Sequence, residues 1–349
     1  MIFILLIFDS FLSIILFLHT TIIFVMTISY KPILIGVTCT VAIASGASAY
    51  VWYENQRPPV LEIYVIPLKS GQAIFIRTPE DKRILIDGGP NSEIIGHIST
   101  ILPFYSRRID TVLLTKTDSN HVSGLVDMVE RYDVGEVIVP AITPEGLGFA
   151  SSSDQVYQTF LDAVDHGHIP LKKVEAGYEW IIDKGSISTS TVSARVLFPV
   201  SPDSFAYSKA SGPELVLKIS YGSTSVMLSG GITTKVQKFI SSMASESSAT
   251  SSESITSTTE KGIDVLVTSK SIISSNIATS FIKKFRPQNV IYSRAVSSVS
   301  KTITSPPKNS TVDPLAYLAE KNKFNIRSSG VVKIVSNGEK VTSISALHL

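Results

Sequence analysis

The chain has 349 residues, of which 44% are hydrophobic and 17% charged, a balance that excludes a mainly disordered or collagen-like protein and fits one large or two small domains. Its formal net charge is +2, from 31 basic and 29 acidic residues with no long run of either sign, so the overall field gives no reason to expect strong nucleic-acid binding. Cys39 is the single cysteine, which excludes an intramolecular disulfide and a thiolate metal cluster.

The apolar excess lies at the start. Residues 1–31 contain MIFILLIFDSFLSIILFLHTTIIFVM, and residues 32–52, PILIGVTCTVAIASGASAYVW, carry no charge. The second run is long enough to span a bilayer, so the expected organisation is an apolar leader over 1–31, a transmembrane anchor over 32–52 and a linker over 53–59. Asp9 makes the first run an imperfect span, and only Thr27 to Lys31 separates the two. A tight helical hairpin is one reading; a start at Met26, with MTISYK as a short n-region, is the other. Both keep Lys31, the only basic residue before Arg57, on the cytoplasmic side and put the bulk of the chain outside. Ala47-Ser48-Ala49 before Tyr50 has the small-residue pattern of a signal-peptidase site, so a released form competes with an anchored one. A run of about 20 apolar residues, against the usual 7 to 15 of a signal core, favours the anchor.

From residue 60 the pattern changes to short strand-like runs. LEIYVIP, QAIFIRT and RILIDGG are three, the last two joined by the turn Pro79-Glu80-Asp81-Lys82. SEIIGHISTILPF then reads as a helix, DTVLLT as a buried strand, HVSGLVDMVERY as a helix and GEVIVP as a strand. A second series repeats this alternation with ARVLFPV, ELVLKIS, TSVMLSG, the helical TKVQKFISSM, DVLVTS, the helical IATSFIKKF, NVIYS, GVVKIVS and KVTSISAL. Strands and helices in two similar halves imply two sheets packed face to face with helices outside, in one domain over 60–349. Ser241 to Thr259 is mostly Ser and Thr, too polar to bury, and reads as a surface loop; Thr304 to Asn309, with Pro306-Pro307, reads as another.

The usual catalytic signatures are absent: no Walker A lysine loop, no Gly-x-Ser-x-Gly elbow, no His-Glu-x-x-His and no dinucleotide fingerprint. His166-Gly167-His168 falls where a helix ends before Ile169-Pro170 and reads as a solvated terminus. The order of segments is more informative. LEIYVIPLKSGQAIFIRTPEDKRILIDGGP, a helix ending LPFYSRRI, and DTVLLTKTDSNHVSGLVDMVERYDVGEVIVP are followed by GPELVLKISYGSTSVMLSGGI, DVLVTSKSIISSN and KFRPQNVIYS. With Gly71-Gln72, Asp87-Gly88-Gly89-Pro90 and Ser123-Gly124-Leu125 in place, this frame resembles the metallo-β-lactamase-like domain of the ComEC competence (DNA-internalisation) family over nearly all of Leu61 to Leu349.

The resemblance implies an α/β fold of the αββα sandwich type, with a zinc or manganese site at strand ends. The family's metal loop, His-x-Asp-x-Asp-His, corresponds here to Lys116, Asp118, Asn120 and His121. Its bridging carboxylate falls on Gly231 and its later histidine on Lys270, while Asp87 lies in the turn beside the family's cations. A hydrolytic zinc site needs three protein ligands plus an open position, and Asp118 with His121 supplies two. Lys116 opposes a dication outright, because an ammonium has no lone pair. The expectation is therefore no metal cofactor. Asp118 has a second reading as the cap of a helix starting near His121, and Asp87 as a shaper of its own turn. Lys116 and Lys270 are expected to serve as counter-charges for the remaining carboxylates.

Together these readings describe a membrane-tethered, extracytoplasmic pseudoenzyme with a binding or scaffolding role and a protein or DNA partner. The rivals are a residual metal-dependent phosphodiesterase or nuclease at Asp118 and His121, and a structural module of the envelope. The many-helix channel part of ComEC proteins is absent from this sequence, so translocation of DNA by this chain alone is not expected.

Overall fold

The apolar runs after residue 60 become strands with few exposed positions. They are β1 (Leu61–Pro67), β2 (Gln72–Arg77) and β3 (Arg83–Ile86). β1 sends Ile63 and Val65 into a core between two sheets and Tyr64 and Ile66 into a second core under helices. Burial on both faces is why these strands read as continuous hydrophobic runs without polar alternation. The computed structural model describes residues 59–103, 105–143, 154–185, 190–205, 207, 214–246, 262–269, 276–293 and 318–347, with 16, 18, 19, 35–46 and 48 near the start.

The chain divides into two units, Met1–Pro58 and Pro59–Leu349. In the first, residues 35–46 are helical and expose Ile35, Val37, Val41 and Ile43. No helix among the described residues is long and apolar enough to cross a membrane. Of the span expected over 32–52, residues 32–34, 47 and 49–52 lie outside the described residues.

The second unit continues with α1 (Glu93–Ile101), β4 (Arg108–Leu113), α2 (Ser119–Arg131), β5 (Asp133–Pro140), α3 (Asp154–His166) and β6 (Leu171–Val174). Next come β7 (Glu179–Asp183), β8 (Val192–Phe198), β9 (Val216–Tyr221), β10 (Thr224–Gly230), α4 (Thr234–Glu246) and β11 (Val265–Ser269). The chain closes with α5 (Asn276–Phe285), β12 (Asn289–Ser293), β13 (Lys323–Asn325), α6 (Ile326–Ser329), β14 (Val331–Ser336) and β15 (Val341–Leu347). Among the described residues one sheet runs β15-β14-β1-β2-β3-β4-β5-β6 and the other β13-β12-β11-β10-β9-β8-β7. In each sheet the strands joined by helices are parallel, β3 to β6 and β10 to β12, and the hairpin-connected strands are antiparallel.

Ile76, Val196, Leu217 and Val226 fill the space between the sheets. Ile94, Ile98, Leu125 and Phe160 cover the outer face of the first sheet, and Val236, Ile240, Phe281 and Ile282 that of the second. The layers are thus helix, sheet, sheet, helix. Each such side chain taken out of water contributes roughly 1.5–3 kcal/mol.

One boundary differs from expectation. The segment 241–259, read as a loop, is helical through residue 246, where α4 ends; residues 247–259 lie outside the described residues. Its serines do not break the helix because their hydroxyls fold back onto it. Ser241 Oγ donates to Gln237 O at 2.7 Å and Ser242 Oγ to Phe239 O at 2.8 Å, while Met243 packs on the outer core.

Candidate functional site

Asp87 follows β3, the Lys116 to Asp118 loop follows β4, and Gly231 follows β10. Side chains leaving the carboxyl ends of parallel strands therefore meet at one end of the sandwich, where α/β sheets usually bind ligands. Glycine makes the approach close enough. A Cβ on Gly88 would lie 2.5 Å from Leu125 N, and one on Gly124 would lie 2.1 Å from Gly88 O. With that space empty, Gly88 N donates to His121 O at 2.8 Å and Gly124 N to Gly89 O at 3.0 Å, so the Asp87-Gly88-Gly89 turn is clamped to the first turns of α2.

Asp87 is buried and has φ +61°. Its Oδ1 accepts from Thr115 N at 2.8 Å and its Oδ2 from the Thr115 hydroxyl at 2.6 Å. The carboxylate thus fastens the β3 loop to the β4 loop, across the site, and does not merely shape its own turn as the sequence suggested. Burial pushes its pKa up to about 6, against the lowering effects of His121 and Thr115.

Asp118 is the N-cap of α2, with Oδ1 accepting from Asn120 N at 3.0 Å. The same carboxylate holds two cationic groups. Lys116 Nζ is 3.1 Å from Oδ2, and His121 Nδ1 is 2.7 Å from Oδ1. Burial works against the charge on Asp118, but His121 and Lys116 outweigh it and hold the carboxyl down at about 2. Burial likewise opposes charge on His121, yet Asp87, Asp118 and Glu214 raise the imidazole to about 9. Lys116 is raised in the same way despite burial, by Asp118, Glu214 and Asp87.

Five of the residues singled out from sequence, Asp87, Lys116, Asn120, His121 and Gly231, line one cavity of about 330 Å³, and Asp118 stands behind Lys116 and His121. Lys270 lies outside the described residues. Sequence reasoning missed Glu214. It is 7% exposed, lines the cavity and accepts from Gly231 N at 2.7 Å through Oε1. A Cβ on Gly230, whose φ is +51°, would lie 1.7 Å from that oxygen. The Gly230-Gly231 pair therefore leaves the volume that the Glu214 carboxylate occupies. The signal in sequence was the double glycine itself, whose missing side chains imply that something else approaches.

Across the mouth, Arg327 ties the two sheets. Its guanidinium donates to Lys69 O and Gly71 O at 3.3 and 3.4 Å and to the Ser293 hydroxyl at 3.2 Å.

These residues do not fit a hydrolytic metal centre. Among the described residues no group of three or more His, Cys, Asp and Glu side chains could hold a metal ion. Asp118 is engaged on both oxygens by cationic groups, and His121 directs Nδ1 at a carboxylate in an environment that keeps the ring protonated. What the arrangement can do is hold charge: among the described residues Lys116, His121 and, at the mouth, Arg327 stand with Asp87, Asp118 and Glu214 at a cleft also lined by Ile74, Ile86, Leu215 and Leu228.

The family model described as "Metallo-beta-lactamase superfamily" matches residues 66–205, a stretch that takes in Asp87, the β4 loop and α2. The matched stretch takes in 140 of the 349 residues and is similar to that superfamily over this part of the chain. Solved structures with similar folds include a mutant form of CmlA beta-hydroxylase, at TM-score 0.40 and 13% identity, covering 66% of this chain and 45% of that one. Others are a B3 metallo-beta-lactamase with an active-site glutamic acid (TM-score 0.37, 13% identity, 66% of this chain and 85% of that one) and a Cronobacter sakazakii metallo-beta-lactamase with a HARLDQ motif (0.34, 13%, 62% and 80%). Likeness at this level says nothing about activity. No curated protein matches the chain by sequence.

Proposed function

We propose that the chain is a non-catalytic, metal-free relative of the metallo-hydrolases, tethered to a membrane through residues 32–52 with its sandwich outside the cytoplasm, and that it binds or scaffolds a partner. The observation that carries this reading is the Lys116 ammonium 3.1 Å from Asp118 Oδ2, on the loop where a metallo-hydrolase of this fold needs a metal-binding side chain. An ammonium at that point supplies the positive charge a metal would bring and cannot coordinate one. The uncharged run of residues 32–52 supports the tether, and Lys31 before it supports the orientation. The ComEC-like order of segments supports a link to DNA uptake, with DNA or another envelope protein as the partner.

The test is metal analysis of the full chain, purified in detergent and dialysed against zinc and manganese, followed by an assay of DNA hydrolysis. Well under one metal per chain and no cleavage are expected. One tightly held metal per chain, with cleavage abolished by a chelator, would sink the reading. DNA affinity measured against salt then separates a DNA partner from a protein one, because the slope reports phosphate contacts.

A further inference from the structure

The cavity beside Asp87 has two kinds of lining. Ile74, Ile86, Leu215 and Leu228, which belong to the inter-sheet core, make part of it aliphatic, while the rest carries Asp87, Lys116, His121 and Glu214 with Gln72 and Asn120. At about 330 Å³ it is large enough for a small organic molecule. Most polar groups in the charged part are already engaged: Asp87 with Thr115 on both oxygens, and Lys116 and His121 with Asp118. One buried acceptor in the lining is left over. Gln72 Oε1 is buried with no hydrogen-bond partner. Glu214, also in the lining, commits Oε1 to Gly231 N. A buried acceptor without a donor is costly, so a ligand for this cavity should bring an N–H or O–H group to Gln72 Oε1.

Charge narrows the choice. Asp118 is taken up by Lys116 and His121, and Arg327 at the mouth is tied to Lys69 O, Gly71 O and the Ser293 hydroxyl, whereas the hydrogen bond Glu214 accepts in the cavity comes from a backbone N–H, so a positive charge is best placed beside Glu214. A primary ammonium carries one charge and three donors on one atom, and the aliphatic lining suits a short hydrocarbon tail behind it. We infer that this cavity is a binding site for a small primary alkylammonium ion, whose nitrogen sits between Glu214 and Gln72 and whose tail lies on Ile74, Ile86, Leu215 and Leu228. The inference deepens the non-catalytic reading of the same site and rests on it: Lys116 meets Asp118 where a metal would lie, and the ligand's ammonium adds a charge beside Glu214.

The test uses the full chain at pH 8, with n-butylammonium chloride as the probe and tetramethylammonium chloride, which has the charge but no N–H, at matched ionic strength. A saturable rise of the unfolding midpoint with butylammonium, a weaker one with methylammonium and none with tetramethylammonium are expected. Glu214→Gln should weaken butylammonium at least tenfold; if that variant does not fold, Gln72→Leu should weaken it several-fold. Absence of a saturable response, an equal response to tetramethylammonium, or unchanged affinity in the variant that folds would overturn the site. Zinc chloride run in parallel keeps the two ideas apart. Saturable stabilisation by zinc overturns the metal-free function whatever the amine does, whereas no response to either compound overturns the ammonium site alone.

Discussion

Around Asp118 each titration has a sign fixed by its shift. With ordinary values of about 3.9 for Asp and 6.5 for His in the unfolded chain, Asp118, held down at about 2, stabilises the fold above pH ~4, and that contribution is lost as pH falls through 2. His121, raised to about 9, contributes fully below pH ~6.5 and loses its contribution as pH rises through 9. Asp87 runs the other way: raised to about 6 by burial, it subtracts stability as pH climbs from about 4 to 6. Urea unfolding should therefore show stability falling between pH 7 and 10, and His121→Gln should flatten that fall; an equal slope in the variant would mean the imidazole is not charged against Asp118 and Asp87. The Lys116 and Asp118 side chains are 30% and 28% exposed, between the surface case of about 0–1 kcal/mol and the buried case of about 3–5 kcal/mol. Lys116→Met, which keeps the alkyl stem, should cost about 1–2 kcal/mol. In a double-mutant cycle with Asp118→Asn the two costs should fall short of additivity by about 1 kcal/mol, and a sum additive within ~0.3–0.5 kcal/mol would mean that the pair does not interact.

At the scale of the element, the same substitution has opposite signs at two helical glycines. A Cβ at Gly124 in α2 meets Gly88 O at 2.1 Å and Asn91 O at 2.6 Å, both backbone, so Gly124→Ala must lift the helix off the Asp87 turn and should cost about 3 kcal/mol. Gly96 in α1 has nothing within 4 Å of its Cβ position, so Gly96→Ala should gain about 0.5–1 kcal/mol from helix propensity alone. Chemical denaturation of the two variants checks both, and destabilisation by both would mean that propensity is not what Gly96 limits. The motifs Asp87-Gly88-Gly89 and Ser123-Gly124-Leu125 stood out in sequence as part of the family resemblance, but their contact was not legible, because it joins two segments more than 30 residues apart. β1 was legible, its LEIYVIP run being buried on both faces. The edge strands β6 and β7 were not legible, since LKKV is mostly exposed and in EWIID the exposed Ile181 between Trp180 and Ile182 hides the alternation. Neither was Glu214. Its role depends on a contact with Gly231 made only when β9 and β10 pair, and a lone glutamate before a strand has no local signature.

Over the whole molecule, the charge distribution along the chain bears on where the sandwich resides. Among the described residues the unit Pro59–Leu349 has its own inter-sheet core and two outer cores. The proposed orientation rests on the single positive charge before the uncharged run 32–52, which would keep Lys31 on the cytoplasmic side and send the sandwich out. A reporter fused after Arg57 should be active only if it functions outside the cytoplasm. Moving the charge, with Lys31→Gln and two lysines placed just after Trp52, should weaken or reverse that preference, because orientation depends on the Lys/Arg balance within about 15–20 residues of the span ends. Cytoplasmic activity of the parent fusion would overturn the orientation. Export with a mature chain beginning at Tyr50 would keep the orientation while replacing the tether by a released protein.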